Sequence, residues 1–285
     1  MSHHDEHLTN ADFQRVRSLV YSQAGINLSA DKKVMLEVRL KRRLHSLDVP
    51  SYAEYCAYLF SREGQDEELI HLIDVVTTNK TDFFREPAHF DFLVNKALPD
   101  FVAANRLGRR LLAWSAGCSS GEEPYTLAMV LSEYGETHPG FRFSILATDI
   151  STTVLAKASR GVFTSDAVRP VPQPMLRKYF MRSRDPSSNL VRVVPELRQM
   201  VEFRRLNLME GDLGLAELAD FIFCRNVVIY FDRPTQERLF EKFARQLVPG
   251  GYLFVGHSET LHGMDLPLVP VAPALYRKVD ERARI

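Results

Sequence analysis

Apolar residues in the first quarter of the chain recur at the spacing of an α-helix. The clearest case follows Ser29, where leucines occupy positions i, i+4, i+8 and i+11: Leu36, Leu40, Leu44 and Leu47. Such a stripe predicts an amphipathic helix with one packed face. The same periodicity predicts further helices over 9–21, 51–60 and 67–76. We therefore assign residues 1–78 to a small N-terminal domain that is all-helical.

From residue 109 onward the pattern changes to short apolar runs that alternate with helical stretches. Buried strands are predicted at 110–114, 141–147, 219–224 and 252–255, and helices at 122–134, 151–159 and 235–247. Alternating strands and helices are typical of an α/β fold, in which helices cover both faces of a mostly parallel sheet. Residues 109–285 are therefore predicted to form a Rossmann-like catalytic domain.

Two segments interrupt these patterns. Residues 161–206 contain several prolines, the polar loop 183–189 and a strand-like run at 190–194, which predicts a small inserted antiparallel β-subdomain. Residues 79–108 begin with a polar, then aromatic, then basic stretch and are assigned to a linker between the two domains.

Composition narrows the class of protein. Lysine and arginine together number 36, and so do aspartate and glutamate, so the net charge of zero disfavours a nucleic acid as partner. The three cysteines contain no CxxC pair, and we predict no metal site; the tail HHDEH at 3–7 is interpreted as solvated rather than metal-binding. There is no apolar run long enough to cross a membrane and no signal peptide, so we expect a cytoplasmic protein without membrane insertion. Without an exposed heptad seam, we expect a monomer.

The candidate chemistry begins at LLAWSAGCSSGEEPYTLAM, residues 111–129, where a predicted strand runs into a glycine loop and then a helix. Ligands of open α/β sheets bind at this position. The spacing of Gly117 and Gly121 is not GxGxxG, which argues against a pyrophosphate. Glu122 and Glu123 at the helix start would repel phosphate and attract the sulfonium and ammonium groups of S-adenosyl-L-methionine. Both acids could instead only complement the helix dipole.

The ends of two later strands add to this site. Asp149 ends the second strand, where a carboxylate can accept both ribose hydroxyls of an adenosine; the alternative is a helix N-cap. FCRNVVIYF at 223–231 lacks the Asn-Pro-Pro-Tyr motif expected for methylation of an adenine base. These features favour a methyltransferase that does not act on nucleic acid.

Several motifs, taken in order, give a specific resemblance. TTNKTDFFRE, SAGCSSGEEPYTLAM, ATDI, YFMR, FCRNVVIYFD and GHSE resemble the CheR-type protein-glutamate O-methyltransferases of chemotaxis, over about residues 12–277. The resemblance implies methyl transfer from S-adenosyl-L-methionine to glutamate side chains on the cytoplasmic domains of chemoreceptors. The products would be glutamyl methyl esters and S-adenosyl-L-homocysteine.

The resemblance also implies which residues bind the cofactor, and it makes the linker 79–108 part of that site. These residues are Asn79, Thr81, Arg85, Glu123, Asp149, Asn207, Leu208, Asn226 and Val227. A glutamate carboxylate is already ionised at neutral pH and needs alignment more than a strong base. We therefore predict catalytic roles for Arg85, which would hold the carboxylate, and Tyr230, which would orient it. The alternatives are a domain-bridging ion pair for Arg85 and, for Tyr230, a core aromatic with its hydroxyl at the rim.

Partners can also be predicted. The second helix carries a basic face next to its leucine stripe, which would steer the enzyme onto acidic receptor helices unless the face is only solvated: Lys32, Arg39, Arg42 and Arg43. The β-subdomain resembles one that takes up a receptor's C-terminal tethering peptide, although its loop 183–189 has no glycine. Two rival functions stay open: a methyltransferase of the same fold with another substrate, and a non-catalytic module that binds the cofactor.

Overall fold

The computed structural model describes residues 7–104, 108–185, 187–211 and 213–279. The N-terminal domain is helical, with a 3-10 turn at Ala30–Lys32 before its second helix. Its helices are α1 (Asn10–Ala24), α2 (Lys33–Leu47), α3 (Tyr52–Leu59), α4 (Arg62–Glu67) and α5 (Leu69–Val76). Leu36, Leu40 and Leu44 are buried in one core with residues of α1, α3 and α5, as the leucine stripe predicts.

The segment assigned to a linker is itself largely helical. It contains α6 (Ala88–Phe92), a π-helical stretch Leu93–Ala97 and α7 (Leu98–Ala103). Phe90, Leu93 and Phe101 are buried in the core of the second domain. The extended connection is therefore shorter than 79–108, because the apolar residues that follow Pro87 bury a helical face against the sheet.

The second domain is built on a seven-stranded sheet with the order β6-β2-β1-β7-β8-β10-β9. Its strands are β1 (Leu111–Ala116), β2 (Phe143–Asp149), β6 (Val201–Arg205), β7 (Ala219–Cys224), β8 (Leu247–Val255), β9 (Leu268–Ala272) and β10 (Leu275–Lys278). The strands from β6 to β8 are parallel, and β10 pairs antiparallel with both β8 and β9. The carboxyl ends of β1, β2 and β7 therefore meet at one edge of the sheet.

Both faces of this sheet are covered. Along β7, Phe221 and Phe223 pack into one core, while Ile222 and Cys224 pack into the other, as the alternation of side chains along a strand requires. The first core includes α8 (Glu122–Thr137) and α9 (Thr152–Arg160), and the second includes α12 (Arg233–Gln246). The predicted fold class, a helical domain followed by a Rossmann-like α/β domain, is confirmed.

The inserted β-subdomain is present but shorter than 161–206. Its antiparallel sheet has the order β3-β5-β4, formed by β3 (Val162–Thr164), β4 (Phe180–Arg182) and β5 (Leu190–Val193), with helices α10 (Gln173–Tyr179) and α11 (Pro195–Arg198). Residues 201–205 do not belong to it, because β6 pairs in parallel with β2 at the edge of the main sheet. Among the described residues, the helices are too short or too polar to cross a membrane.

Candidate functional site

A cleft with an empty volume of about 1050 Å³ lies where the helical domain meets the carboxyl ends of the central strands. The cleft is lined by all ten residues for which a cofactor or catalytic role was predicted: Asn79, Thr81, Arg85, Glu123, Asp149, Asn207, Leu208, Asn226, Val227 and Tyr230. The structure thus brings these residues together, while the role of each stays a prediction.

The glycine loop forms the floor of the cleft. Gly117 has φ +84°, a conformation that favours glycine, and a Cβ at this position would lie 2.4 Å from Cγ2 of Val227. The amides of Gly117 and Cys118 donate to the carbonyl of Thr148 at 2.8 and 2.9 Å, which fixes the loop against the end of β2. The first glycine is therefore required by the close approach of the loop that follows β7.

Asp149, at the end of β2, is held by two backbone amides. Its carboxylate accepts from the amides of Ser119 at 2.8 Å and Ser151 at 2.9 Å. Burial raises the pKa of this carboxyl, and these amides oppose the rise. The N-cap of α9 is Ser151, whose hydroxyl accepts from the amide of Val154. The interpretation of Asp149 as the N-cap is therefore wrong, and its carboxylate lines the cleft instead.

The two acids at the start of α8 have different surroundings. Glu123 lines the cleft and accepts from the hydroxyl of Ser115 at 2.6 Å, whereas Glu122 accepts from the hydroxyl of Ser120 at 2.7 Å and is not among the lining residues. Burial raises the pKa of the Glu123 carboxyl, and the nearby Arg225 opposes the rise. Only Glu123 is therefore placed to contact a ligand in the cleft.

The motif FCRNVVIYF contains Arg225, for which the sequence predicts no role, and this residue is the central charge of the site. Its side chain is 2% exposed and pairs with Glu123 at 3.3 Å and Glu86 at 3.2 Å, while it also donates to the backbone carbonyl of Arg85. A cation directly after the buried strand β7 must find partners there, because an isolated buried charge is very costly. Its position directly after a buried strand could therefore have marked Arg225 as a paired cation from the sequence alone, although the sequence does not reveal its partners.

Arg85 and Tyr230 face the cleft from different segments. Arg85 is half-buried and donates from Nη1 to the carbonyl of Lys80 at 3.0 Å, and in the described part of the chain it forms no ion pair that would bridge the domains. Tyr230 ends a 3-10 turn, Val228–Tyr230, and its carbonyl accepts from the amide of Asn27 at 2.8 Å. The side chain of Tyr230 is half-buried and packs against the core of the helical domain, which is compatible with the alternative of a core aromatic, so its catalytic role stays a prediction.

The loop after β7 is held by a buried acid. Asn226 has φ +60°, and its amide and that of Val228 donate to the two carboxylate oxygens of Glu259, each at 2.9 Å. The side-chain oxygen of Asn226 is buried beside the cleft without a protein partner among the described residues. Because buried polar atoms are normally hydrogen-bonded, this acceptor points to a donor that a bound ligand would supply.

Asn207 and Leu208 follow the end of β6 and line the cleft. The side-chain amide of Asn207 donates to the carbonyl of Gln23 at 2.6 Å, and its oxygen accepts from the amide of Met209 at 3.0 Å. Leu208 is buried in the second core. Asn207 therefore joins α1 to the catalytic domain, so part of its hydrogen-bonding capacity is already used within the protein.

The four basic residues predicted to meet a receptor differ in their surroundings. Arg39 donates to the carbonyls of residues 75, 76 and 77, and Arg43 forms an ion pair at 2.6 Å with Glu68, which is buried. Lys32 and Arg42 are exposed, and Lys32 lies 3.5 Å from Asp31. Arg39 and Arg43 thus stabilise the helical domain, and Lys32 and Arg42 remain the accessible cations of this face.

This protein is an S-adenosylmethionine-dependent methyltransferase, and S-adenosyl-L-methionine is its cofactor. The glycine loop and the acid that ends the second strand line the cleft in which such a cofactor fits. The family model described as "CheR methyltransferase, SAM binding domain" matches residues 79–271, and "CheR methyltransferase, all-alpha domain" matches residues 11–77. The chain belongs to the CheR methyltransferase family.

Similar proteins from three bacteria agree with this assignment. The chain is 42% identical to a chemotaxis protein methyltransferase of Borreliella burgdorferi, over 95% of each chain. It is 43% identical to chemotaxis protein methyltransferase 2 of Pseudomonas aeruginosa, over 89% of this chain and 88% of the relative. A chemotaxis protein methyltransferase of Escherichia coli is 40% identical over 90% of this chain and 87% of the relative.

Proposed function

We propose that this protein transfers a methyl group from S-adenosyl-L-methionine to glutamate side chains on the cytoplasmic domains of chemoreceptors. It would act in the cytoplasm and as a monomer. The observation that carries this proposal is the identity of about 40% to chemotaxis protein methyltransferases over nearly the whole chain, together with a cleft between both domains.

The residues of the cleft fit the cofactor. Asp149 offers a carboxylate to the ribose hydroxyls, and Glu123 offers one to the cationic end of the molecule. The buried oxygen of Asn226 has no protein donor among the described residues, and the ammonium and amino groups of the cofactor are donors. When bound, the cofactor supplies an electrophilic methyl group on a sulfonium. Leu208 and Val227 add apolar contact area to the cleft wall.

The protein's own task is to align a carboxylate that is already nucleophilic. The guanidinium of Arg85 has five N–H donors, of which the described residues use one, so it can bind a carboxylate oxygen from the substrate. Arg225 fixes the backbone of Arg85 through its carbonyl, which keeps that guanidinium at the cleft. Tyr230 lines the same cleft, and its hydroxyl can donate to the second carboxylate oxygen. Alignment of this kind supplies most of the rate gain that in-line displacement needs.

Receptor recognition would use exposed charges and, for some receptors, the β-subdomain. Lys32 and Arg42 are accessible to an acidic receptor helix, and such contacts raise the association rate more than the affinity. In the β-subdomain β5 lies between β3 and β4, so these two outer strands have edges to which a tethering peptide could add a strand.

Methyl transfer to purified receptor fragments tests the proposal. Label from S-adenosyl-L-methionine should appear on a chemoreceptor cytoplasmic fragment, and Arg85→Ala should reduce kcat by about 100-fold. The matched control is Arg62→Ala, because Arg62 is exposed on α4 and outside the cleft. Tight cofactor binding without label on any receptor fragment would contradict the proposal and favour another substrate or a non-catalytic role.

A further inference from the structure

Three side chains with metal-binding atoms lie together beside the cleft. They are Glu86, His89 and His257, and one ligand atom from each lies within 4.8 Å of the others. Glu86 lies in the turn before α6 and His89 three residues later in α6, whereas His257 lies in the loop after β8. Among the described residues, no other group of three His, Cys, Asp or Glu side chains has its ligand atoms this close together. The methyl transfer proposed above assigns no role to these three residues.

His89 provides an independent reason to expect a ligand. Its side chain is 1% exposed, yet neither ring nitrogen has a hydrogen-bond partner among the described residues. Its neighbours are the edge-on rings of Phe254 and His257, at centroid distances of 5.9 and 5.3 Å, and the carboxylate of Glu86, 3.5 Å from Nδ1. A buried polar group without a partner costs free energy, and a bound ion would offset that cost.

We propose that Glu86, His89 and His257 bind a divalent transition-metal ion, with zinc as the ion that suits them best. Two imidazoles and one carboxylate are a common zinc ligand set, which leaves a fourth position for water. Magnesium and calcium prefer sites made of oxygen ligands and fit this set poorly. The proposal goes beyond methyl transfer, because it assigns a second ligand to residues outside the cofactor cleft.

The geometry requires a small adjustment that the structure permits. Ligand atoms of a tetrahedral zinc site lie about 3.4 Å apart, so at least one side chain must move closer. His257 is exposed and therefore free to turn, and its position at the surface gives an ion access to the site. Oε2 of Glu86 faces both Arg225 and His89, and Oε1 accepts from the amide of His257 at 3.3 Å. The carboxylate must therefore turn so that one oxygen binds the metal while the other stays paired with Arg225.

Zinc titration of the full chain tests the site. The tail histidines are first removed by His3→Ala, His4→Ala and His7→Ala, because they are a second source of imidazole ligands. After treatment with a chelator, this background variant should bind one equivalent of zinc in titration calorimetry. Adding His257→Ala should weaken binding at least about tenfold. The matched control is His262→Ala, an exposed histidine on the same loop, which should leave the affinity unchanged.

Cobalt provides a second measurement that reports on the ligands themselves. Cobalt(II) bound by two imidazoles and a carboxylate should give visible absorption bands, and His257→Ala should abolish them. His89→Gln serves as a further variant if circular dichroism shows that it folds. Absence of saturable zinc binding by the background variant would overturn the proposal. Equal zinc affinity in the His257→Ala and His262→Ala variants would overturn it as well.

Discussion

Replacement of Arg225 by methionine would remove the cation that holds the wall of the cleft together. Methionine has a similar length but no charge, so it leaves the carboxylates of Glu86 and Glu123 without their shared partner. It also leaves the carbonyl of Arg85 without its donor. Because Arg85 is the predicted contact to the substrate carboxylate, the variant should lose activity as well as stability.

The burial of these groups sets the magnitude of the loss. The Arg225 side chain is 2% exposed and each carboxylate side chain is 12% exposed. Removal of one partner from a buried ion pair typically costs about 3–5 kcal/mol. Because both carboxylates reach some water, we expect the lower end, a fall of about 3 kcal/mol in the free energy of unfolding.

The loss should also depend on pH. Without Arg225, the folded-state pKa of Glu86, now lowered, should rise above its unfolded value, and that of Glu123, already raised by burial, should rise further. A raised carboxyl pKa gives stability at low pH that is lost as the pH rises through the folded-state value. The difference between wild type and variant should therefore be larger at about pH 8 than at about pH 5.

Urea denaturation followed by circular dichroism, with a chelator present, measures this difference. The matched control is Arg245→Met, which removes an ion pair of 3.2 Å with Glu241 on the surface of α12, where the arginine is 73% exposed. That change should cost no more than about 0.5 kcal/mol. If Arg225→Met costs as little as the control, or if its cost is independent of pH, the account of this network is wrong.

Three further predictions concern the cleft and the receptor face. Gly117→Ala should weaken binding of S-adenosyl-L-homocysteine more than about tenfold, whereas the control Gly140→Ala should not. Both glycines have left-handed φ angles, but of the two only Gly117 would place a Cβ against another loop. Equal effects in calorimetry would contradict the argument. Burial raises the pKa of the Asp149 carboxyl, and ribose binding needs its ionised form. Cofactor affinity should therefore be constant above that pKa and fall as the pH drops through it. Asp149→Asn should remove much of this pH dependence, and an unchanged pH dependence in this variant would refute the role of Asp149. Arg42→Glu should slow methylation of receptor fragments about tenfold at low salt while leaving the melting temperature unchanged; equal rates would exclude this residue from the receptor contact.

The positions of the cleft residues could be predicted because the fold itself brings them together. Gly117, Asp149 and Asn226 each lie at the carboxyl end of a parallel strand, and the carboxyl ends of neighbouring parallel strands meet at one edge. The apolar periodicity was strong enough to predict the strands and helices that carry them. In that sense the arrangement of the site follows from local patterns and one topological rule.

Partners that are distant in sequence could not be predicted in this way. Arg43 looked like a surface cation at its position on α2, but it pairs with Glu68 of the neighbouring segment. Arg225 similarly finds partners more than a hundred residues away. Periodicity reports which face of a helix is apolar, but it does not report which charge on another helix will lie opposite.

The edges of the predicted segments were also uncertain for physical reasons. Residues 201–205 form a short strand that could pair with either sheet, and only the tertiary structure decides that it extends the main one. The helical stretch 88–103 directly follows a polar segment, and the two together were assigned to a linker because the polar residues interrupt the helical spacing of the apolar ones. In both cases the local sequence permits two outcomes, and burial against the sheet selects one.

The chemical identity of the product tests the central claim most directly. After incubation with S-adenosyl-L-methionine and a chemoreceptor cytoplasmic fragment, mass spectrometry of the receptor peptides should find one added CH₂ group on glutamate residues, and mild base should remove it with release of methanol. That result is expected for a carboxyl methyl ester. A base-stable methyl group on lysine or another nitrogen, or transfer to a small molecule only, would contradict the assignment of a protein-glutamate O-methyltransferase.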